Sequence, residues 1–489
     1  MEARNEKCIK AMKDLGGGGL SCAISETADS LNIGIELDVN NIHTRESGMN
    51  PDEIMVSESQ ERMLIITDNK KLKKLNEICK KFFIQCSVIG KVKADKIMHV
   101  KKGPKTLASL PTKIVANAPL LDRPHQIPKY LKKLPLKHPS PKNQNFSNIL
   151  LKLISCPNMA NKNWVYGQYD HEVGIRTTIK PGYDASVLRL DNGKFLAAKI
   201  DGNPKQCYIN PREGAIGCFE EACRNVVCTG ARPIGMLDHL QFGNPNDPEI
   251  FWTFLESLKG LTDFAKSFEI PCVGGKVSLY NETPAGSIKP TPVIGVIGLI
   301  DKKPSVPQRI VKDDCLLIIG DTKDELGGSE YFEYVHKFVG GKCPAVNFED
   351  SKKHMKSVLD IIDKNLIKSA HDCSKGGLAI AVSEICMTNQ IGCNVSLDNI
   401  PGEKLDVDRI LFSESHSRYL LSFDEKNFSK IEDILKKNKV SFNQIGQFGG
   451  EKIQFVNGSE SIIDIDLKKA HDTWLHALPN LVLHGKKTA

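Results

Sequence analysis

No apolar stretch of about 18 residues occurs in the sequence, so no membrane-spanning helix is expected. The N-terminus, MEARNEKCIKAMKD, is charged and lacks the apolar core of a secretory signal, so no export through one is expected. Fifteen cysteines, an odd number, are scattered without CxxC pairs. That spacing argues against a disulfide framework or a zinc site and reads as reduced thiols in a cytoplasmic protein. HExxH, GxSxG and Cys-His signatures are missing, which removes the zincin, hydrolase and thiol-protease readings. Aromatic residues do not interleave with the basic clusters, so nucleic-acid binding is not expected.

What is present is a sentence written twice. Asp14 opens DLGGGGLSCAISE, and Ser57-Glu58-Ser59-Gln60 follows, leading into Arg62-Met63-Leu64-Ile65-Ile66. Asp372 opens DCSKGGLAIAVSE, and Ser413-Glu414-Ser415-His416 follows, leading into Arg418-Tyr419-Leu420-Leu421-Ser422. The offset is 358 residues between Asp14 and Asp372 and 356 between Glu58 and Glu414, so one loop differs by two residues. A repeated core with one small gap is the mark of a duplicated domain.

A length of 489 residues is too great for one core and suggests three or four domains. Hydrophobic content of 40% with 26% charged residues is that of a globular protein. The net charge is +7, with lysines clustered at 70–74, 91–105 and 130–142. These clusters read as solvated faces and a linker, or as steering for anionic, phosphorylated substrates.

Along the chain, periodicity predicts helices over 2–13 and Leu20–Leu31, a strand at Ile33–Leu37 and a loop to about Glu53. A strand at Met63–Thr67, a helix at Lys70–Phe82 and a strand at Ile84–Val88 follow. The second half should hold strands at 185–189, 195–200, 232–240 and 293–300, with helices at 214–228 and 248–268. The expected class is α/β (α+β). The domains read as 1–105, a Pro/Lys-rich linker at 106–165 with the turn signal His138-Pro139-Ser140-Pro141, then 166–308, 309–460 and a tail at 461–489.

Glycines at 16–19 between Asp14 and a helix allow positive φ and bring backbone N–H groups toward an anion. A carboxylate beside such a cradle suits Mg²⁺, but Asp is equally a favoured helix cap. Ser57-Glu58-Ser59-Gln60 offers donors and acceptors at a strand edge, or is a surface turn; Gln60 is where it departs from its repeat. Val273-Gly274-Gly275-Lys276-Val277-Ser278 ends like a P-loop, but Ile270 stands where the first glycine should be, which argues against a Walker NTPase. Asp238 could hold a nucleotide's metal or hydroxyls, or cap a turn. Tyr169-Asp170-His171-Glu172 resembles an acid–base cluster, though a lone His171 is more often structural.

At YDHEV (169–173), TGARPIGMLDHLQFGNP (229–245), VGGKVSLYNE (273–282), DELGGSEY (324–331), RESGMNPDEIMVSESQERML (45–64) and APLLDRP (118–124), the sequence resembles the synthetase subunit of small, multi-subunit phosphoribosylformylglycinamidine synthases. That family lies within the aminoimidazole ribonucleotide (AIR) synthetase superfamily. The resemblance implies a duplicated AIR-synthetase-like architecture, here half of repeat one followed by all of repeat two. It implies conversion of formylglycinamide ribonucleotide, ATP and ammonia to the amidine through an iminophosphate, in de novo purine synthesis. Mg²⁺ and ATP are the implied cofactors, and a glutaminase subunit and a small bridging subunit the implied partners.

By motif, Asp14 is then a Mg²⁺ ligand, and Glu58, Ser59, Gln60 and Ser278 are substrate contacts. Asp238, Gly275 and Lys276 are nucleotide contacts. The family's usual Asn is here Lys276, which cannot coordinate a metal while charged and is expected to replace the metal's charge against phosphate. The family's catalytic histidine lies in the N-terminal half of repeat one; the matching stretch of repeat two, Lys199-Ile200-Asp201-Gly202-Asn203-Pro204, has none. The resemblance therefore implies no catalytic residue in this chain, a degenerate and structural repeat two, an internal start at Met1, and no synthetase activity of the 489-residue chain alone. A different superfamily member, or a nucleotide-binding scaffold subunit, is the competing expectation.

Overall fold

A computed structural model describes residues 1–117, 119, 121–137 and 144–485. The expected turn at 138–141 and residues 118 and 120 of the APLLDRP motif lie outside the described residues. The chain forms two compact units, Met1–Asp122 and Arg123–Ala489. None of the fifteen cysteines is disulfide-bonded, and no helix among the described residues is long and apolar enough to cross a membrane.

In the first unit, β1 (Ala11–Asp14) and β3 (Met63–Ile66) pair antiparallel, with Asp14 opposite Met63. A separate four-stranded sheet has the order β4 (Gly90–Lys93), β2 (Gly34–Asp38), β5 (Ile97–Lys102), β6 (Lys105–Pro111). Its apolar core gathers Leu20, Ile24 and Ala28 from the helix Gly19–Ser30 against Leu37, Met98 and Val100 of the sheet.

Two local expectations fail here. The stretch 2–13 is not one helix: a turn of helix covers Glu2–Asn5, and β1 begins at Ala11. Helix propensity is a weak prior, and the long-range ladder to β3 overrides it. The stretch 84–88 is not a strand, and Ile84 and Val88 are exposed. The strand starts at Gly90, where a Cβ would lie 2.1 Å from the Glu36 carbonyl oxygen, so only glycine admits the close approach of β2.

The second unit holds two sheets. The first comprises β7 (Thr177–Ile179), β8 (Ser186–Arg189), β9 (Phe195–Asp201), β10 (Arg232–Gln241), β11 (Cys272–Ser278) and β14 (Thr291–Ile300), in the order β11-β10-β14-β9-β8-β7. A small hairpin, β12 (Glu282–Thr283) and β13 (Gly286–Ser287), stands apart from it. The second sheet comprises β15 (Cys315–Ile319), β16 (Ser369–Asp372), β17 (Cys393–Ser396), β18 (Tyr419–Phe423), β19 (Phe442–Phe448), β20 (Lys452–Asn457) and β21 (Glu460–Asp466). Its order is β16-β18-β15-β19-β17-β20-β21.

The duplication is visible in topology. β1-β3 repeats β16-β18, and β4-β2-β5-β6 repeats β19-β17-β20-β21, down to the single parallel pair in each set (β2 with β5, β17 with β20). Wholly buried β15, which joins β18 to β19, has no counterpart among the described residues of the first unit. The fold is thus mixed α/β, with one repeat in two sheet fragments and the other continuous.

The stretch 106–165 is more structured than its composition suggests. It carries most of β6 and the helices Thr112–Ala116, Phe146–Ile154 and Asn163–Tyr166. Leu150, Leu153 and Ile154 of the helix Phe146–Ile154 pack at helical spacing into the second unit's core.

Candidate functional site

The repeated motif builds the same turn twice. Gly18 caps the helix Gly19–Ser30 at φ 74°, and Gly376 caps the helix Gly377–Asn389 at φ 76°. A Cβ on Gly19 would lie 2.2 Å from the Ser57 carbonyl oxygen, and one on Gly377 2.6 Å from that of Ser413. Positive φ and backbone contact together demand glycine at both places. The carboxylate of the second motif closes the turn: Gly18 N–H donates to Glu58 Oε1 at 2.9 Å, and Gly376 N–H to Glu414 Oε1 at 2.8 Å. An arginine then clamps each Ser-Glu-Ser loop. Arg62 donates to the carbonyls of Ser57 and Ser59, and Arg418 to those of Ser413 and Ser415.

In the first unit this frame is open. Asp14, Glu58, Ser59 and Gln60 are exposed. Ser57 Oγ and Ser59 Oγ are 3.2 Å apart, and the Gln60 amide donates back to the Glu58 carbonyl at 3.1 Å. Asp14 borders a cleft of about 690 Å³ on β1, lined also by Met12, Glu26 and Met63, where Lys13 and Glu26 form an ion pair. A Cβ on Gly17 would stand 4.0 Å from Glu58 Oε1, so a side chain there would grow into the space beside the carboxylate. Exposed carboxylate oxygens beside bare glycines are donors a hard cation such as Mg²⁺ accepts.

The second unit closes the same frame. Glu414 is 2% exposed and also accepts from the Glu330 N–H at 2.9 Å and the Gln206 amide at 3.3 Å. Burial, followed by the Glu330 carboxylate, pushes its carboxyl up to about 7. His416, where the repeats diverge from Gln60, is buried with neither ring nitrogen hydrogen-bonded, and burial lowers its basicity. Asp372, the counterpart of Asp14, accepts from Arg224 at 3.3 Å and Asn225 at 3.2 Å. Lys375 replaces Gly17 and places its ammonium 2.8 Å from Asp201 and 2.9 Å from Glu221.

Sequence reasoning missed these partners. Glu220, Glu221, Arg224 and Asn225 lie on one side of the helix Pro211–Cys228, which Asn210 caps and Pro211 opens. All four are buried, Arg224 pairs with Glu220, and Glu220 Oε1 accepts from Ser351 and Ser417 at 3.0 Å. The available signal was a run of charges, EEACRN, inside an otherwise apolar helix. His371 was also missed: it lies 2.9 Å from Asp184 and 3.3 Å from Glu384, repeating the Lys13–Glu26 pair. Burial opposes its protonation, but the two carboxylates overcome that and hold it well above the ordinary histidine range.

β10 and β11 separate the remaining candidates. Parallel pairing sets Asp238 beside Gly275 and His239 beside Lys276. A Cβ on Gly275 would fall 2.2 Å from Asp238 Oδ1, so the glycine makes room for that carboxylate, which burial pushes above its usual range. Because side chains alternate, Lys276 and Ser278 project from the opposite face of the sheet to Asp238. The Ser278 hydroxyl lies within hydrogen-bond reach of Asn281, whose amide also fixes the Phe242 and Ser278 carbonyls. In the 169–172 stretch, Glu172 pairs with Lys180 and His171 turns to the Tyr169 carbonyl, so the cluster is spent on local structure.

Two families of known proteins match. The AIR synthase related protein, N-terminal domain, covers residues 182–300, and the C-terminal domain covers 1–102 and again 311–458. The phosphoribosylformylglycinamidine synthase subunit PurL of Methanobrevibacter smithii is 40% identical over 95% of this chain and 65% of its own length. That of Methanocaldococcus jannaschii is 39% identical over 99% of the chain and 66% of its own length. The chain thus spans just under two thirds of the curated relatives it matches. Among solved structures, T. maritima PurL complexed with AMPPCP superposes with a TM-score of 0.65 at 21% identity, covering 92% of this chain and 66% of that one. The same protein complexed with FGAR gives 0.63 at 21% identity, covering 92% and 63%.

Proposed function

We propose, for a chain that belongs to the AIR synthase related family, that it is the ATP-dependent synthetase component of a phosphoribosylformylglycinamidine synthase. The reaction joins ammonia to formylglycinamide ribonucleotide with ATP hydrolysis, in purine biosynthesis. A glutaminase subunit supplies the ammonia, and a small bridging subunit completes the assembly. The observation that carries the reading is the asymmetry of the repeats: one glycine turn is open and flanked by exposed carboxylates, while its twin is buried and internally neutralised.

An amide oxygen is a poor leaving group, so the family chemistry first phosphorylates it; ammonia then attacks the iminophosphate carbon and expels phosphate. Such a transfer asks a protein mainly for positioning and charge neutralisation. Mg²⁺ would supply the latter, held by Asp14. With the Gly18 N–H donated to Glu58 and the Gly19 N–H to the Gly16 carbonyl, the Gly16 and Gly17 N–H groups are those the turn would offer to anionic oxygens at a helix start. Glu58 holds that turn through Gly18, and Ser59 and Gln60 offer donors and acceptors to the ribonucleotide. In repeat two, Asp238 and Gly275 form a nucleotide contact on one sheet face. Lys276 and Ser278 meet phosphate and substrate oxygens on the other, with Lys276 carrying the positive charge itself. Repeat two serves as the structural copy.

The test is phosphate release dependent on both formylglycinamide ribonucleotide and ATP, with ammonium as nitrogen donor, by the chain alone and mixed with the other synthase subunits. Asp14→Asn should lower turnover of the active mixture at least 100-fold and raise the Mg²⁺ requirement. Release that ignores the ribonucleotide in every mixture rejects the proposal.

A further inference from the structure

We propose that Lys375 is a built-in counter-cation, its ammonium seated where repeat two would otherwise hold a divalent metal ion between Asp201 and Glu221. The repeat supplies the comparison. DLGGGGL in the first unit and DCSKGGL in the second make the same turn, with the same positive φ at Gly18 and Gly376 and the same carboxylate bond. Ser374 stands at the position of Gly16 and Lys375 at that of Gly17, so of the two side chains added to the turn one is a cation.

Its surroundings suit a larger charge than it carries. Asp201 and Glu221 are 8% and 6% exposed, and the ammonium bonds one oxygen of each. Asp201 Oδ2 is buried without any hydrogen-bond partner. One ammonium thus bonds both carboxylates and leaves one oxygen unused, with Lys199 acting on Asp201 and Arg224 on Glu221 without a hydrogen bond to either. Arg224, the other cation of the cluster, is engaged with Glu220 and Asp372. Buried carboxylates are tolerated only when paired or bound to a metal, and two of them with a free oxygen match the oxygen-donor preference of Mg²⁺ or Mn²⁺. The lysine lets repeat two keep its closed conformation independently of metal supply.

Replacing Lys375 by glycine restores the repeat-one residue at that position and vacates the cation. The expected result, read by electron paramagnetic resonance titration of the full chain with Mn²⁺, is one more Mn²⁺ bound per chain in Lys375→Gly than in the wild type. The Mn²⁺-dependent rise in Tm of the variant should exceed that of the wild type by several degrees. The control Lys375→Gly/Glu221→Gln, with one carboxylate neutralised, should lose the extra ion. Equal Mn²⁺ stoichiometry in wild type and Lys375→Gly overturns the proposal, as does an extra ion that survives in the control. If the single variant folds poorly, refolding from urea in Mn²⁺ against EDTA gives the answer. A yield that depends on Mn²⁺ supports the site, and equal yields overturn it.

Discussion

Glu414→Gln should stabilise the second unit above neutral pH and leave it unchanged in acid. In the fold the carboxyl is 2% exposed, accepts two backbone N–H groups and one amide, and faces the Glu330 carboxylate. Burial and Glu330 raise it from 4.5 to about 7. A carboxyl whose folded value exceeds its unfolded one contributes fully below the unfolded value, and that contribution disappears as pH climbs through the folded value. The window is therefore about pH 4.5 to 7. A shift of roughly 2.5 units at 1.36 kcal/mol each makes the ionised side chain cost about 3 kcal/mol at pH 8. Glutamine keeps an oxygen for the two N–H donors and removes the charge. All three tryptophans, Trp164, Trp252 and Trp474, lie in the second unit, so urea unfolding followed by tryptophan fluorescence reports that unit alone. The variant's gain should grow from near zero at pH 4.5 to about 3 kcal/mol at pH 8. A gain that is the same at both pH values, or a loss at pH 8, refutes the reasoning.

The two arginine clamps should respond unequally. Arg418 is fully buried and also donates to Thr322 Oγ1 at 3.0 Å, so Arg418→Met, which strands several buried acceptors, should cost about 3–5 kcal/mol. Arg62 is half-exposed and water can replace it, so Arg62→Met should cost under about 1 kcal/mol by circular dichroism in urea; similar losses would contradict the open and closed description. The His371 titration midpoint in nitrogen NMR spectra should lie above the ordinary histidine value, and Asp184→Asn should lower it. Since its folded value is raised, its contribution to stability is complete below about pH 6.5 and disappears only as pH rises through the higher folded value. A wild-type midpoint at or below the ordinary histidine value would remove the carboxylate account.

How much could be read in advance follows from how local each feature is. The two glycine turns were legible because positive φ and backbone contact admit one residue type, and the carboxylate that closes each turn recurs at nearly the same spacing. The helices near 20–31, 70–82 and 248–268 were legible because a 3.6-residue apolar period survives in the sequence. β1 was misread because four residues of strand are defined by their ladder to β3, fifty residues on, and not by their own period.

The sequence alone thus revealed the duplication and the positive-φ glycine turns, since the repeat is written in it and positive φ is a local constraint, whereas the carboxylates that close the turns reach them from about 40 residues away. Tertiary structure alone decided which copy is open. Burial of Asp372 depends on Arg224, Asn225 and Asp184, 147 to 188 residues away along the chain. It also decided that Asp238 and Lys276 part company, because the parity of one strand register sends neighbouring side chains to opposite faces. Ion pairs and ladders formed over such distances are set by three-dimensional packing, and no pattern of neighbouring residues encodes them.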